Sequence, residues 1–207
     1  NLKSLGYFFS EVDILMEELP DNKIDLIYRI SLGNKSKIKK ISFVGNKIFK
    51  DRKLRGVIVS EEFKFWKFIS GRKYLNQDTI LLDERLLKNF YLTKGYYDAS
   101  VNSSFAKLIE DDQFELIFNI NAKNKFYFND LSLKLPNDFN PDNFKSLETL
   151  FADIRGEAYS INSVNKILKE IDIITTYEEY QSTEASVLEK VVSNKINLEF
   201  EIKETKK

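Results

Sequence analysis

Neither cysteine nor histidine occurs in these 207 residues. That double absence removes cysteine nucleophiles, disulfides, thiolate metal sites, imidazole bases and most transition-metal chemistry. It leaves the compartment open, because a cysteine-free chain suits an oxidising space and is also tolerated in the cytosol. Proline and glycine are scarce, at 3 and 7 residues, which excludes a collagenous or linker-dominated chain. Net charge is absent too: 32 basic residues balance 32 acidic ones, so no global field draws the molecule onto nucleic acid or an anionic membrane. Any charge-driven partner has to use a local patch. No run approaches the length of a membrane-spanning helix, and Asn1-Leu2-Lys3 does not open a signal peptide, so the expectation is a soluble, excised piece. What is abundant is 43% hydrophobic and 31% charged residues, a composition that buries a core.

The chain repeats itself. Lys23 to Ile30, Gln113 to Ile120 and Lys195 to Ile202 each place apolar residues at every second position, starting at Ile24, Phe114 and Ile196. Leu5-Gly6-Tyr7-Phe8 returns as Lys94-Gly95-Tyr96-Tyr97, and Ile41-Ser42-Phe43 as Leu131-Ser132-Leu133. These recurrences predict modules of about 85 residues: the C-terminal part of one at 1–35, then complete ones at 36–123 and 124–207.

In the middle module, periodicity predicts strand, helix, helix, strand, strand. Ile38 to Val44 alternates and ends at Gly45-Asn46; Asp51 is placed to cap a short helix with Leu54, Val57 and Ile58 on its apolar face. A second helix begins at Asn76 or Asp78, carries Ile80, Leu82 or Leu86, Leu87, Phe90 and Tyr91, and ends at Lys94-Gly95 in a left-handed cap. A hairpin follows, from about Asp98 to Lys107, through Glu110-Asp111-Asp112, to Phe114–Ile120. The last module predicts a strand over Phe126–Leu133, then Asn140-Pro141 as N-cap and first turn of a helix that stops at Arg155-Gly156. Ser160 opens the next helix, and a hairpin spans roughly Gln181–Val192 and Lys195–Lys203. Glu179-Tyr180 stands where the Gly-Tyr landmark is missing.

The β-α-α-β-β order, the strand end Phe43-Val44-Gly45-Asn46 and the helix end Leu92-Thr93-Lys94-Gly95-Tyr96 resemble POTRA domains. Phe65-Trp66-Lys67-Phe68-Ile69-Ser70-Gly71-Arg72-Lys73-Tyr74 is similar to the insert of the third POTRA in the barrel-assembling members of that family. Residues 1–35, 36–123 and 124–207 then correspond to the end of a second module and to a third and fourth. The resemblance implies an α+β fold of tandem modules, each with a three-stranded mixed sheet covered on one face by two helices. It also implies a non-catalytic periplasmic scaffold at the outer membrane, which receives unfolded outer-membrane β-barrel proteins and docks accessory lipoproteins. No cofactor or nucleic acid is implied, and membrane attachment would come only through a C-terminal barrel that these residues do not include. The first module, missing its own first strand, is expected to be the least stable part.

The resemblance also puts the second strand of each module at a sheet edge. In the middle module that strand is Ala99-Ser100-Val101-Asn102-Ser103-Ser104-Phe105-Ala106-Lys107, with no proline and one charge. Such an edge lacks most devices that block strand addition, so an extended client segment could pair with it. The aromatics Phe63, Phe65, Trp66, Phe68 and Tyr74 either close the end of the helix pair or form a partner-docking patch. The lysine run Lys35-Ser36-Lys37-Ile38-Lys39-Lys40 reads as a solvated linker and strand face.

Three rivals stand beside this reading. Other POTRA-bearing transporters, for two-partner secretion or chloroplast import, share the module. Single-stranded nucleic-acid binding would use the aromatics interleaved with lysine in Phe63-Lys64-Phe65-Trp66-Lys67-Phe68, and zero net charge opposes it. A carboxylate-only glycosidase would need one of Glu17-Glu18, Glu61-Glu62, Asp111-Asp112 or Glu178-Glu179. Adjacent carboxylates at turns and element ends are ordinarily solvated charge.

Overall fold

The computed structural model describes residues 2–21, 23–66, 70–107, 112–180 and 182–204. Among these described residues, eight strands and four α-helices follow one another as β1 (Glu11–Leu19), β2 (Lys23–Ser31), β3 (Lys37–Asn46), α1 (Asp51–Arg55), α2 (Gln77–Leu92), β4 (Ser100–Lys107), β5 (Gln113–Asn121), β6 (Tyr127–Lys134), α3 (Lys145–Ile154), α4 (Ile161–Tyr177), β7 (Thr183–Val192) and β8 (Lys195–Glu204). They form a two-stranded sheet β1-β2 and two three-stranded sheets, β3-β5-β4 and β6-β8-β7. In each larger sheet the last strand lies in the middle, parallel to the first and antiparallel to the second. The fold is α+β with mixed sheets, as the resemblance implies. The chain packs as two compact units, residues 1–87 with 100–121, and 88–99 with 122–207.

In the first unit β5 is paired on both sides and buries Phe114, Leu116, Phe118 and Ile120 at every second position. Its parallel neighbour β3 buries Ile38, Ile41 and Phe43. The spacing of three between Ile38 and Ile41 would break a regular alternation. A bulge between Ile38 and Lys40 restores it by absorbing one residue. The expected cap at Asp51 is displaced: Lys50 holds the N-cap position of α1 without a side-chain bond, while Asp51 is the first helical residue and pairs with Lys47. That helix stops at Arg55, so Val57 and Ile58 follow it. The α2 helix begins with Asn76 as its cap, whose Oδ1 accepts from the Thr79 N–H at 2.9 Å. Asp83 of α2 is fully buried and accepts from the N–H groups of Val59 (2.6 Å) and Ser60 (3.1 Å), which ties down the connection after α1.

The β1-β2 hairpin is exposed along both strands, and Ile14, Met16, Ile24, Leu26, Tyr28 and Ile30 all face solvent. The segment ahead of it is anchored. The Ser36 N–H donates to the Gly6 carbonyl at 3.0 Å, Phe9 stacks on Phe114 at 4.9 Å, and Phe8 meets Phe105 edge-on at 5.2 Å.

The second unit repeats the design. Its central strand β8 buries Ile196, Leu198, Phe200 and Ile202, and the two helices pack onto it through Leu147 and Phe151 of α3 and Val164, Ile167 and Ile171 of α4. Asn140 caps a 3-10 turn over Pro141–Phe144, through an Asp142 N–H bond to its Oδ1 at 3.1 Å, and α3 proper starts at Lys145. The end of α2 lies here too. Tyr96 N–H donates to the Tyr91 carbonyl (3.0 Å) and Gly95 N–H to that of Leu92 (3.3 Å), with Gly95 at φ 92°, the left-handed closure predicted for Lys94-Gly95. A Cβ on Gly95 would lie 3.0 Å from the Lys125 side chain and 3.3 Å from Ala158. The Gly95 carbonyl in turn accepts from Phe126 N–H at 2.8 Å, as Gly6 does from Ser36.

At the end of α4 the same closure is made without glycine. Tyr180 N–H donates to the Thr175 carbonyl at 2.9 Å and Glu179 N–H to that of Thr176 at 3.2 Å, with Glu179 at φ 59°. A left-handed conformation at a residue with a Cβ costs roughly 1 kcal/mol. Glu179→Gly is therefore expected to raise stability by about 0.5–1 kcal/mol, read as a higher midpoint in thermal unfolding; an unchanged or lower midpoint would contradict this account of the helix end.

Two phenols share one carboxylate in this unit. Tyr97 donates to Glu189 Oε2 at 2.6 Å and Tyr159 to Oε1 at 2.8 Å. The bond to Glu189, followed by burial and the negative charges of Glu189 and Asp98, pushes the Tyr97 phenol up to about 12. Burial and then the same carboxylate push Tyr159 up as well. A folded-state pKa above the unfolded value of about 10 holds the proton more tightly, so this stabilisation is present below about pH 10 and is lost as pH rises toward 12. In a phenolate absorbance titration, Glu189→Gln is expected to let Tyr97 ionise closer to 10, with a shallower loss of stability across that window.

Candidate functional site

A three-stranded sheet has two outer edges, and the first strand of each sheet is closed by its own chain. Along β3 the Phe63 N–H donates to the Ile38 carbonyl (2.6 Å) and the Leu75 N–H to that of Ser36 (2.7 Å). Glu62 accepts from Ile41 N–H (3.0 Å), Arg55 donates to the Ile41 carbonyl (2.7 Å), and Tyr74 forms a bridge with Lys37. Along β6 the residues after Arg155 do the same: Gly156 N–H donates to the Phe128 carbonyl, Phe128 N–H to that of Glu157, and Tyr159 N–H to that of Phe126, each at 2.9 Å.

The second strands stand at the other edges. Among the described strands β4 pairs only with β5, in register from Ser100↔Asn121 to Lys107↔Phe114, and β7 only with β8. Of the expected Ala99–Lys107 edge, Ala99 is buried and precedes the strand. Ser100, Asn102 and Ser104 are exposed, Val101 and Ser103 are half-buried, and Phe105 is 42% exposed. The backbone of Ala106 and Lys107 continues the strand. One outward group is already engaged: Ser103 N–H donates to Glu84 Oε1 of α2 at 2.5 Å. Because alternate residues of an antiparallel pair present their backbone groups to opposite sides, Val101 and Phe105 face outward with Ser103.

Beside this edge runs a groove of about 270 Å³ lined by Lys3, Phe8, Gln77, Ile80, Leu81 and residues 103–105. The sequence did not point to Phe8, Leu81 or Glu84. Leu81 is the one with a local signal, an exposed leucine off the apolar stripe of α2; Glu84 reads as an ordinary helix-surface charge.

The aromatic patch divides. The Phe63 ring lies 5.5 Å from Lys37 Nζ and 5.3 Å from Lys73 Nζ, and Tyr74 lies under Lys35 and Lys73, so both pack where the connection closes β3. Phe65 and Trp66 are 72% and 59% exposed and meet edge-on at 4.7 Å. Phe68 lies outside the described residues. The four adjacent acidic pairs are not gathered into one site: Glu62 caps β3, Glu61 pairs with Arg72, and Glu179 ends α4. Asp111 lies outside the described residues.

Residues 36–123 match the family model described as POTRA, surface antigen variable number repeat. The outer membrane protein assembly factor BamA of Neisseria meningitidis is 25% identical over 171 residues, 82% of this chain and 21% of that protein. The BamA of Buchnera aphidicola is 22% identical over 188 residues, 88% of this chain and 29% of that protein. The chain thus spans under a third of the length of either relative. Its fold is similar to that of Haemophilus influenzae BamA POTRA3-5, with a TM-score of 0.61 at 13% identity over 98% of this chain and 76% of the other. Haemophilus ducreyi BamA lacking POTRA domains 1-3 follows at 0.57, with 16% identity over 82% of this chain and 29% of the other.

The contrast between edges has a direct readout in amide hydrogen exchange. Ile41 and Phe128, whose N–H groups are held on closed edges, are expected to exchange slowly, Val101 and Phe105 quickly, and Ser103 in between. Equal protection of β3 and β4 would contradict the assignment of β4 as the open edge.

Proposed function

Since residues 36–123 match the POTRA family model and BamA proteins are similar over most of the chain, we propose that it is a section of a periplasmic POTRA array. In this reading it binds unfolded outer-membrane β-barrel proteins by strand addition during their assembly, and it is not an enzyme. Residues 1–35 are the C-terminal part of one module, and 36–123 and 124–207 are two further ones. The hairpin β1-β2 and the Gly6 carbonyl bond, which recur as β4-β5 and β7-β8 and at Gly95, support that division. The observation that carries the function is the asymmetry of the edges: β3 is closed by its own chain, whereas β4 borders an apolar groove and, among the described strands, pairs only with β5.

Backbone pairing suits clients that share alternation and little else, because every client offers the same N–H and C=O groups. At about 0.5–1.5 kcal/mol net per hydrogen bond, a ladder of roughly four or five bonds yields a few kcal/mol before the peptide is ordered. The affinity is then on the order of high micromolar to millimolar, and capture is reversible. A second role, docking of accessory lipoproteins, is favoured by the exposed Phe65-Trp66 pair.

An amide NMR titration with an unfolded peptide from an outer-membrane β-strand separates these roles. Strand addition is expected to move Ser100–Phe105, and residues 183–192 of β7, in fast exchange. Shifts confined to 63–66 and 70–74 would replace strand addition with docking at the aromatic patch, and no shift at millimolar peptide would end the strand-addition reading.

A further inference from the structure

Resting on the strand-addition reading, we propose that Glu84 selects among strands at the β4 edge, favouring an extended segment with a lysine or arginine where it passes this carboxylate. In the unoccupied edge Glu84 Oε1 takes the Ser103 N–H at 2.5 Å. An added strand must bring a carbonyl to that same N–H, and one donor does not serve two acceptors at full strength. The carboxylate is therefore displaced, but it stays close. It sits on α2 one turn beyond Ile80 and Leu81, which line the groove against Ser103, Ser104 and Phe105. It thus remains within side-chain reach of the strand that displaced it.

A carboxylate that loses a charge-assisted bond has to be compensated by water or by a new donor. A cationic side chain on the incoming strand supplies that donor; an acidic one sets like charges side by side. Residues of one face recur at every second position of a strand. Glu84 and the apolar wall of Phe8, Ile80 and Leu81 both meet the face turned toward the helix. The favoured segment consequently reads apolar-x-basic or basic-x-apolar on that face. Lys3 also lines the groove, so the preference for positive charge belongs to the neighbourhood of Glu84 and not to the whole edge.

The test uses the whole chain and three short synthetic peptides of one alternating sequence. They carry Lys, Gln or Glu two positions from a central apolar residue, and the Ser103 amide reports binding. The Lys peptide is expected to bind about two- to five-fold more tightly than the Glu peptide, the range of a solvent-accessible ion pair. Glu84→Gln, whose amide still accepts from Ser103, is expected to level the series, and Glu84→Lys to reverse it. Equal binding of the three peptides to the wild-type β4 edge, or a preference that survives Glu84→Gln, overturns the proposal while leaving strand addition intact. If no peptide moves any β4 amide, strand addition itself fails and this inference falls with it.

Discussion

Everything distinctive in these modules follows from the number of strands. In a sheet of three, one strand has both sides satisfied and the other two each expose a row of backbone donors and acceptors. The satisfied strand comes last in each module, so the fold is not complete until its final segment enters between the other two. The first strand is then closed by the chain beside it: the connection between α1 and α2 covers β3, and the turn after α3 covers β6. The second strand follows a helix end, and among the described residues no connection pairs along its outer side. What reaches the backbone of β4 is the Glu84 side chain, from the helix alongside.

The second constraint is the helix end that feeds each hairpin. A left-handed residue turns the chain, and the next residues lead into the exposed strand; at Gly6 and Gly95 the glycine carbonyl also accepts from the N–H that opens the following sheet segment. Gly95 suits this on two counts, since positive φ is free for glycine and Lys125 and Ala158 crowd the place of a Cβ. Glu179 shows that the turn is set by the capping bonds rather than by the residue type, which holds φ 59° at a cost.

That distinction explains what was legible in the sequence. The central strands were plain, because each buries one face and leaves the other less covered, which puts Phe114-Leu116-Phe118-Ile120 and its counterpart in strict alternation. The first strand was legible only approximately, since a bulge at Ile38/Lys40 inserts a residue into the period. The third helix end was hidden because Glu179 does the work of a glycine without looking like one. Asp51 misled for a local reason, its lysine partner four residues earlier drawing the carboxylate away from a capping role. The edge itself was read from the family resemblance. The groove and Glu84 were not, because they depend on the register of α2 against β4, which no pattern within either segment encodes.

The aromatic connection joins these themes. Phe63 and Tyr74 pack at the closure of β3 with lysine ammonium groups over their rings, while Phe65 and Trp66 remain in solvent. A closed edge beside an open one gives the module a polarity that a symmetric sheet lacks. An open edge would by itself invite two copies to pair β4 to β4. Such a pair would cost each copy the bond between the Ser103 N–H and Glu84. A charge-assisted bond is worth about 1.5–3 kcal/mol, comparable to the few kcal/mol that a short ladder yields, so the carboxylate can hold the edge against its own kind while a strand bringing its own cation recovers the loss.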